Sequence, residues 1–156
     1  MLTREAVIVD VDGTLCDVSG IRHYVLGHPH SRSFDDFHRA SAICPAIPSS
    51  VEWVLGHQAA GRAVLVVTAR NQRYEFITRR WLRKWEIPCD QLFMRGNRDE
   101  RPDTEVKADI LSEIRGLGFS IVAAIDDNPT VIELWEREAI PVTVVPGWED
   151  PVAVPA

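Results

Sequence analysis

The sequence predicts an α/β fold, a three-layer sandwich around a central parallel sheet of about five strands. Two observations carry this. Short, continuously apolar runs alternate with longer amphipathic stretches along the chain, the pattern of strands buried on both faces by crossover helices. Acidic, hydroxyl and basic residues recur just past the ends of those apolar runs, where open parallel sheets collect their ligands.

Each element has its own signal. Ala6–Val11 is apolar throughout and reads as a strand buried on both faces. Pro48–Ala60 opens on Pro48-Ser-Ser and stops at Gly61, matching the preference for polar caps and proline at helix starts and glycine at their ends. Ala63–Thr68 is the second buried strand. Asn71–Glu86 places Tyr74, Ile77, Thr78, Trp81 and Trp85 at helical spacing before Pro88, with Arg73, Arg80 and Arg83 on another face. That period makes the aromatic residues a core seam rather than a base-stacking platform. Gln91–Arg95 is a shorter strand, and Asp103–Arg115 a helix stopped by Gly116. Ser120–Asp126 and Pro141–Val145 complete the strands, separated by a helix over Asn128–Glu138 with Pro129 just inside its start. Within 17–47, Ser33-Phe-Asp-Asp36 reads as a capping box for a short helix anchored by Phe34 and Phe37. Residues 1–146 are expected to form one domain and 147–156 a tail.

Composition narrows the function classes. At 156 residues, 46% apolar and 26% charged, the chain suits one ordinary globular domain. No apolar run approaches the roughly 18 residues of a membrane span, and Met1-Leu-Thr-Arg-Glu5 offers no signal-peptide pattern. Cys16, Cys44 and Cys89 are odd in number and irregularly spaced. Reduced thiols in a cytoplasmic protein are therefore expected. A net charge of −6 argues against broad, non-specific nucleic-acid binding. The charge is uneven, however. Arg70–Arg101 carries nine basic against five acidic residues, +4, leaving −10 for the remainder. A basic face on an acidic body steers a polyanion to one place.

The predicted strand ends carry the chemistry. Asp10-Val-Asp-Gly-Thr14 follows the first strand, Thr68-Ala-Arg70 the second, and Asp126-Asp127-Asn128 the fourth. Lys107 lies near the start of the helix that precedes the fourth strand. Four segments thus bring carboxylates, a hydroxyl and cations to one rim. This set resembles the haloacid-dehalogenase-like (HAD-like) phosphatase superfamily over nearly the whole chain. A closer resemblance, over roughly 5–146, is to the 3′-phosphatase domain of phage polynucleotide kinase. It rests on Val64-Leu-Val-Val-Thr-Ala-Arg70 and the arginine-rich helix after it, Asp103-Thr-Glu-Val-Lys107, Ala124-Ile-Asp-Asp-Asn128 and Val131-Ile-Glu-Leu-Trp135. The resemblance implies a Rossmann-like HAD fold with a minimal cap. It also implies Mg²⁺-dependent removal of a 3′-phosphate from a DNA or RNA end, beside a separate kinase or ligase.

On that reading Asp10 is the nucleophile that forms an aspartyl-phosphate. Asp12 protonates the leaving oxygen and later activates water, so it must hold a proton when Asp10 does not. The Mg²⁺ ligands expected are the Asp10 carboxylate, the backbone carbonyl of Asp12, and Asp126, with Asp127 reaching the metal through water or orienting Lys107. Unscreened carboxylates at ~4–5 Å repel by roughly 3–4 kcal/mol per pair at an effective dielectric near 20, a physical reason to expect a cation. Thr68 and Lys107 are expected to hold the phosphoryl oxygens. Arg70 is expected to grip phosphate in two places. The resemblance adds Arg22, and makes Asp103 a partner of Lys107 or Arg70, although a helix-capping role explains Asp103 nearly as well.

The stretch 17–47 is too short for a large cap domain. It suits a flap over an open site, which favours a polymer end over a free metabolite. His23, His28, His30 and His38 crowd this stretch near Cys16 and Cys44, but their spacing matches no standard zinc pattern. Two other functions compete. One is a small-molecule phosphatase such as a nucleotidase. The other is a phosphoacceptor receiver module, disfavoured because receivers place the acidic pair, not Asp-x-Asp, after the first strand.

Overall fold

The computed structural model describes residues 2–27 and 32–147. His28, His30 and the expected tail beyond Gly147 lie outside the described residues. Five parallel strands form one sheet: β1 (Arg4–Val9), β2 (Ala63–Asn71), β3 (Gln91–Arg95), β4 (Phe119–Asp126) and β5 (Val142–Val144), in the order β3-β2-β1-β4-β5. The helices are α1 (Phe34–Ala40), α2 (Pro48–Ala59), α3 (Glu75–Lys84), α4 (Asp103–Gly116) and α5 (Pro129–Arg137). From β1 the chain builds outward through β2 and β3, then returns to the other side of β1 with β4. The strand order therefore reverses between β1 and β4, and the crevice for a ligand opens there.

Alternation along the strands assigns the layers. Val7 and Val9 of β1, with Val64 and Val66 of β2, share one core with Val54 of α2 and Trp81 and Leu82 of α3. Ala6 and Ile8, with Ala63, Leu65 and Val67, face the other side. There they meet Val106, Ile110, Leu111 and Ile114 of α4 and Val131, Leu134 and Trp135 of α5. Both faces of the sheet are thus buried, which is why the strands read as continuous rather than alternating apolar runs.

Several element ends differ from expectation. β1 stops at Val9, although Asp10 N–H still donates to the Ile125 carbonyl at 3.2 Å, and Val11 accepts from the amides of Thr14, Leu15 and Cys16. The turn chemistry of Gly13-Thr14 wins over the apolarity of Val11. β2 runs on to Asn71, and α3 starts only at Glu75 after a 3-10 turn over Gln72–Tyr74. Asn71 caps that turn by accepting from the Arg73 amide. In the seam of α3, Trp85 is exposed and Leu82 takes the buried place. Pro48 is the first residue of α2, but neither serine after it caps the helix, and Ile47 is its N-cap.

The segment between β1 and α2 folds as a 3-10 turn (Ser19–Tyr24), α1 and a second 3-10 turn (Ser41–Ile43). Ser33 accepts from the Asp36 amide at 3.2 Å, as the capping box predicts. Of the two expected anchors, Phe37 is buried and Phe34 is 58% exposed. Phe34, at the first residue of the helix, stands exposed at the cavity that Phe37 also lines. Trp81 fastens this segment to the main body, its indole N–H donating to the Cys44 carbonyl at 2.8 Å. Cys16, Cys44 and Cys89 are free thiols. Among the described residues no helix is long and apolar enough to cross a membrane.

Trp81→Ala removes a side chain that is 2% exposed and strands the Cys44 carbonyl. It is expected to destabilise the fold by about 3–5 kcal/mol in urea denaturation. Trp81→Phe, which keeps most of the bulk, is expected to lose less than half as much.

Candidate active site

The sheet's switch point gathers the acidic motifs. Asp10 follows β1 directly, Asp126 ends the neighbouring β4, and Asp127 comes next. Oxygens of Asp10, Asp126 and Asp127 all lie within 4.8 Å of one another, and the three residues are buried. Lys107, on the second turn of α4 and 2% exposed, donates from Nζ to Asp10 Oδ1 and to Asp126 Oδ2, each at 2.8 Å. The other oxygen of Asp126 accepts from the amides of Asp127 and Asn128 at 2.9 and 3.0 Å. Thr14 Oγ1 lies 3.0 Å from Asp10 Oδ2 and 3.1 Å from Asp127 Oδ1, bridging the first-strand loop to the acidic pair. Gly13 makes this approach possible. Its φ is +79°, and a Cβ there would overlap the Asp127 carboxylate.

Electrostatics follows from this packing. Burial, then the carboxylates of Asp126 and Asp127, push the Asp10 pKa well up against the opposing pull of Lys107. Lys107 resists the deprotonation that burial favours because Asp10 and Asp126 flank it, and its pKa is raised. One ammonium serves two carboxylates beside a third. That donor set of clustered, buried, hard oxygens fits a divalent cation such as Mg²⁺, with Asp10, Asp126 and Asp127 as the residues that would hold it.

Asp12 is placed apart. Its carboxylate does not join the three-acid group but is gripped by Arg70, whose Nε and Nη2 donate to its two oxygens at 2.9 and 2.6 Å. Arg70 is 1% exposed, and its third nitrogen donates to Thr78 Oγ1 at 3.0 Å. Burial alone would raise the Asp12 pKa, but Arg70 outweighs it and the net shift is downward. In this arrangement the proton affinity of Asp10 is shifted upward and that of Asp12 downward. The cause is positional: the guanidinium predicted to grip phosphate is bonded to Asp12, while Asp10 shares its one cation.

The remaining predicted residues fall around a cavity of about 750 Å³ above this floor. Thr68, 1% exposed, lines it and accepts from the Arg70 amide at 3.1 Å. Arg22 stands on its wall in the 3-10 turn after β1. Asp103 also lines it but orients neither Lys107 nor Arg70, and makes no capping bond. It accepts instead from Arg95 Nη2 at 2.8 Å. Arg95 was not legible as a site residue. It ends β3 and also donates to the carbonyls of Ala69, Asp99 and Arg101, tying the end of β2 to the start of α4. Thr14, whose place in the motif carried no assigned role, and His38 are two further residues that the structure adds to the site. His23 is exposed, and no histidine joins a metal-binding group among the described residues.

Comparison with known proteins gives this geometry a family. The profile described as the HAD-type polynucleotide kinase PNKP phosphatase domain matches residues 4–147. A protein of Autographa californica nuclear polyhedrosis virus, named as a bifunctional polynucleotide kinase/RNA ligase, is 30% identical over 139 residues, covering 87% of this chain and 18% of that protein. A protein of Oceanobacillus iheyensis named as a nucleotidase is 31% identical over 91 residues, covering 58% of this chain and 43% of its own length. The chain therefore spans less than half of either relative. Among solved structures, a chain of the Pnkp1/Rnl/Hen1 RNA repair complex superposes with a TM-score of 0.78 at 28% identity, covering 92% of this chain and 42% of that one. The class C acid phosphatase of Bacillus anthracis shares the fold, with a TM-score of 0.67 at 14% identity over 97% of this chain and 69% of that one. A five-stranded parallel sheet with its acidic motifs after β1 and β4, and a profile match across nearly all of its length, make this chain a phosphatase of the HAD-like family of polynucleotide kinase PNKP phosphatase domains.

Proposed function

We propose that this chain removes the 3′-phosphate from DNA or RNA ends through an aspartyl-phosphate on Asp10, using Mg²⁺, in nucleic-acid repair beside a kinase and a ligase. The observation that carries the reading is the floor of the cavity. There Asp10, Lys107 and Thr68 meet within a wall that also includes Arg22 and Arg73, cations suited to an anionic polymer end. The relative named as a polynucleotide kinase/RNA ligase, and the RNA repair complex, support the repair setting.

The mechanism divides the labour between the two sides of the cavity. Lys107 and Thr14 fix both oxygens of Asp10, so the carboxylate meets phosphorus in one orientation. Bound Mg²⁺ would neutralise Asp10, Asp126 and Asp127 together and draw charge from the phosphoryl oxygens. Thr68 and Lys107 offer a hydroxyl and an ammonium to those oxygens. The phosphorus–oxygen bond to the leaving sugar breaks as the Asp10–phosphorus bond forms, and Asp12 supplies the proton to the departing oxygen. An arriving dianion raises the proton affinity of Asp12 against Arg70. Afterwards the ionised Asp12, held by Arg70, takes a proton from the water that hydrolyses the intermediate.

The match to a protein named as a nucleotidase supports a second reading, hydrolysis of a mononucleotide. A receiver module is not supported, since the acidic pair follows β4 and Asp-x-Asp follows β1.

Asp10→Asn is expected to lower turnover of p-nitrophenyl phosphate on the order of 10³-fold or more while circular dichroism stays unchanged; retained turnover excludes Asp10 as nucleophile. With Mg²⁺, a 3′-phosphorylated oligonucleotide is expected to be preferred over its 5′-phosphorylated counterpart and over mononucleotides, and preference for a mononucleotide establishes the second reading. Thr14→Val removes the hydroxyl between Asp10 and Asp127. It is expected to raise the Mg²⁺ concentration for half-maximal turnover by about 10-fold to 100-fold.

The Asp12–Arg70 pair also predicts a pH dependence. A carboxyl held below its unfolded value of ~3.9 stabilises the fold above that pH, and the contribution disappears as pH falls through the lowered pKa. Arg70→Met is therefore expected to be less stable than the parent by about 3–5 kcal/mol near pH 7. In denaturation series from pH 7 to pH 2.5 the gap should narrow as pH falls, down to the lowered pKa of Asp12 in the parent, below which Asp12 is protonated in both proteins. A gap of constant size means that the pair contributes nothing.

A further inference from the structure

His38 is a polar residue in the cavity wall that the mechanism above leaves without a role. It lies on α1, within the segment between β1 and α2, and is 9% exposed. Its ring packs at 4.6 Å from Tyr74 and edge-on at 5.3 Å from Phe37. All three rings line the cavity. His38 Nδ1 is buried with no hydrogen-bond partner. A hydrogen there would be a donor with nothing to accept it, which a buried site disfavours. The neutral ring therefore carries its hydrogen on Nε2, the nitrogen left to reach the cavity. Burial in this aromatic wall holds the pKa down to about 4, although Asp12 pulls it upward. The ring thus offers an uncharged donor at neutral pH.

Position and charge say what such a donor meets. The nucleophile side of the cavity is built by Asp10, Lys107 and the acidic pair. Asp12 and Arg70 line the same cavity as His38, and His38 and Asp12 lie near enough for each to shift the other's pKa. In the mechanism proposed above Asp12 protonates the leaving oxygen, and His38 lines the cavity in which that oxygen departs. The cavity already offers a phosphoryl dianion the cations of Lys107, Arg22 and Arg73. An uncharged donor beside aromatic rings suits an uncharged acceptor with an apolar face, and a sugar ring presents both.

We propose that His38 binds the leaving-group sugar, donating from Nε2 to an oxygen of the sugar that carries the scissile phosphate, while the Tyr74 and Phe37 rings pack against that sugar's carbon face. This assignment rests on the phosphatase reading but not on the polymer end, because a mononucleotide carries the same sugar.

The test compares kcat/KM on a 3′-phosphorylated oligonucleotide and on a nucleoside 3′-monophosphate with that on p-nitrophenyl phosphate, which has no sugar. In His38→Leu the ratio of the better sugar substrate to p-nitrophenyl phosphate is expected to fall about tenfold, through KM, the change that one neutral hydrogen bond supports. His38→Gln places an amide N–H where Nε2 stood and is expected to restore the ratio to within about threefold. Equal losses on all substrates, or an unchanged ratio, overturn the proposal. Where His38→Leu fails to fold, His38→Gln and His38→Asn decide. A ratio kept by glutamine and lost by asparagine, whose amide falls at the Nδ1 position, supports it, and equal behaviour overturns it. Failure of the polymer-end reading shows separately, as parent protein that hydrolyses the mononucleotide in preference to the oligonucleotide.

Discussion

A lysine ammonium taken out of water is tolerated only with anionic partners at hydrogen-bond distance. Lys107 finds them in Asp10 and Asp126, which stand at the ends of adjacent strands, and it reaches them from a helix on one face of the sheet. This contact determines more than local charge. It keeps the ends of β1 and β4 together where the strand order reverses, and it settles the rotation of α4 about its axis. Asp127 and the Thr14 hydroxyl then occupy the space beside it, and Gly13 is the residue that leaves that space open.

The two aspartates of the first motif are pulled toward different cations. Asp10 shares Lys107 with Asp126, whereas Asp12 has Arg70 to itself. Their proton affinities diverge, Asp10 upward through burial and the neighbouring acids and Asp12 downward through Arg70. A cation held by the three clustered acids would lower the proton affinity of Asp10.

Much of this was legible in the sequence, for identifiable reasons. Buried parallel strands announce themselves as unbroken apolar runs, so β1, β2 and β4 were readable to within a few residues, and Asp10, Thr68 and Asp126 could be placed on one rim. The capping box at Ser33 was readable because its chemistry is local. Residues whose partners are distant in sequence were not. Asp103 one helical turn before Lys107 suggested a joint role, yet its partner is Arg95, eight residues earlier on another element. Arg70 was readable as a site residue, but its bond to Asp12 spans 58 positions and has no sequence signature. His38 looked like one of several loop histidines. Only the packing of Tyr74 and Phe37 around it separates it from the exposed His23.

The Arg95 side chain has a wider consequence. It takes the carbonyl at the end of β2, two carbonyls of the following loop and the first carboxylate of α4. It thereby acts as a gauge block at the rim between two parts of the site already packed together through the core, the strand end bearing Thr68 and the helix bearing Lys107. The spacing of hydroxyl and ammonium is braced by an arginine that does no chemistry itself. A chain that kept every acidic motif residue but shortened this side chain would retain its parts and lose their calibration.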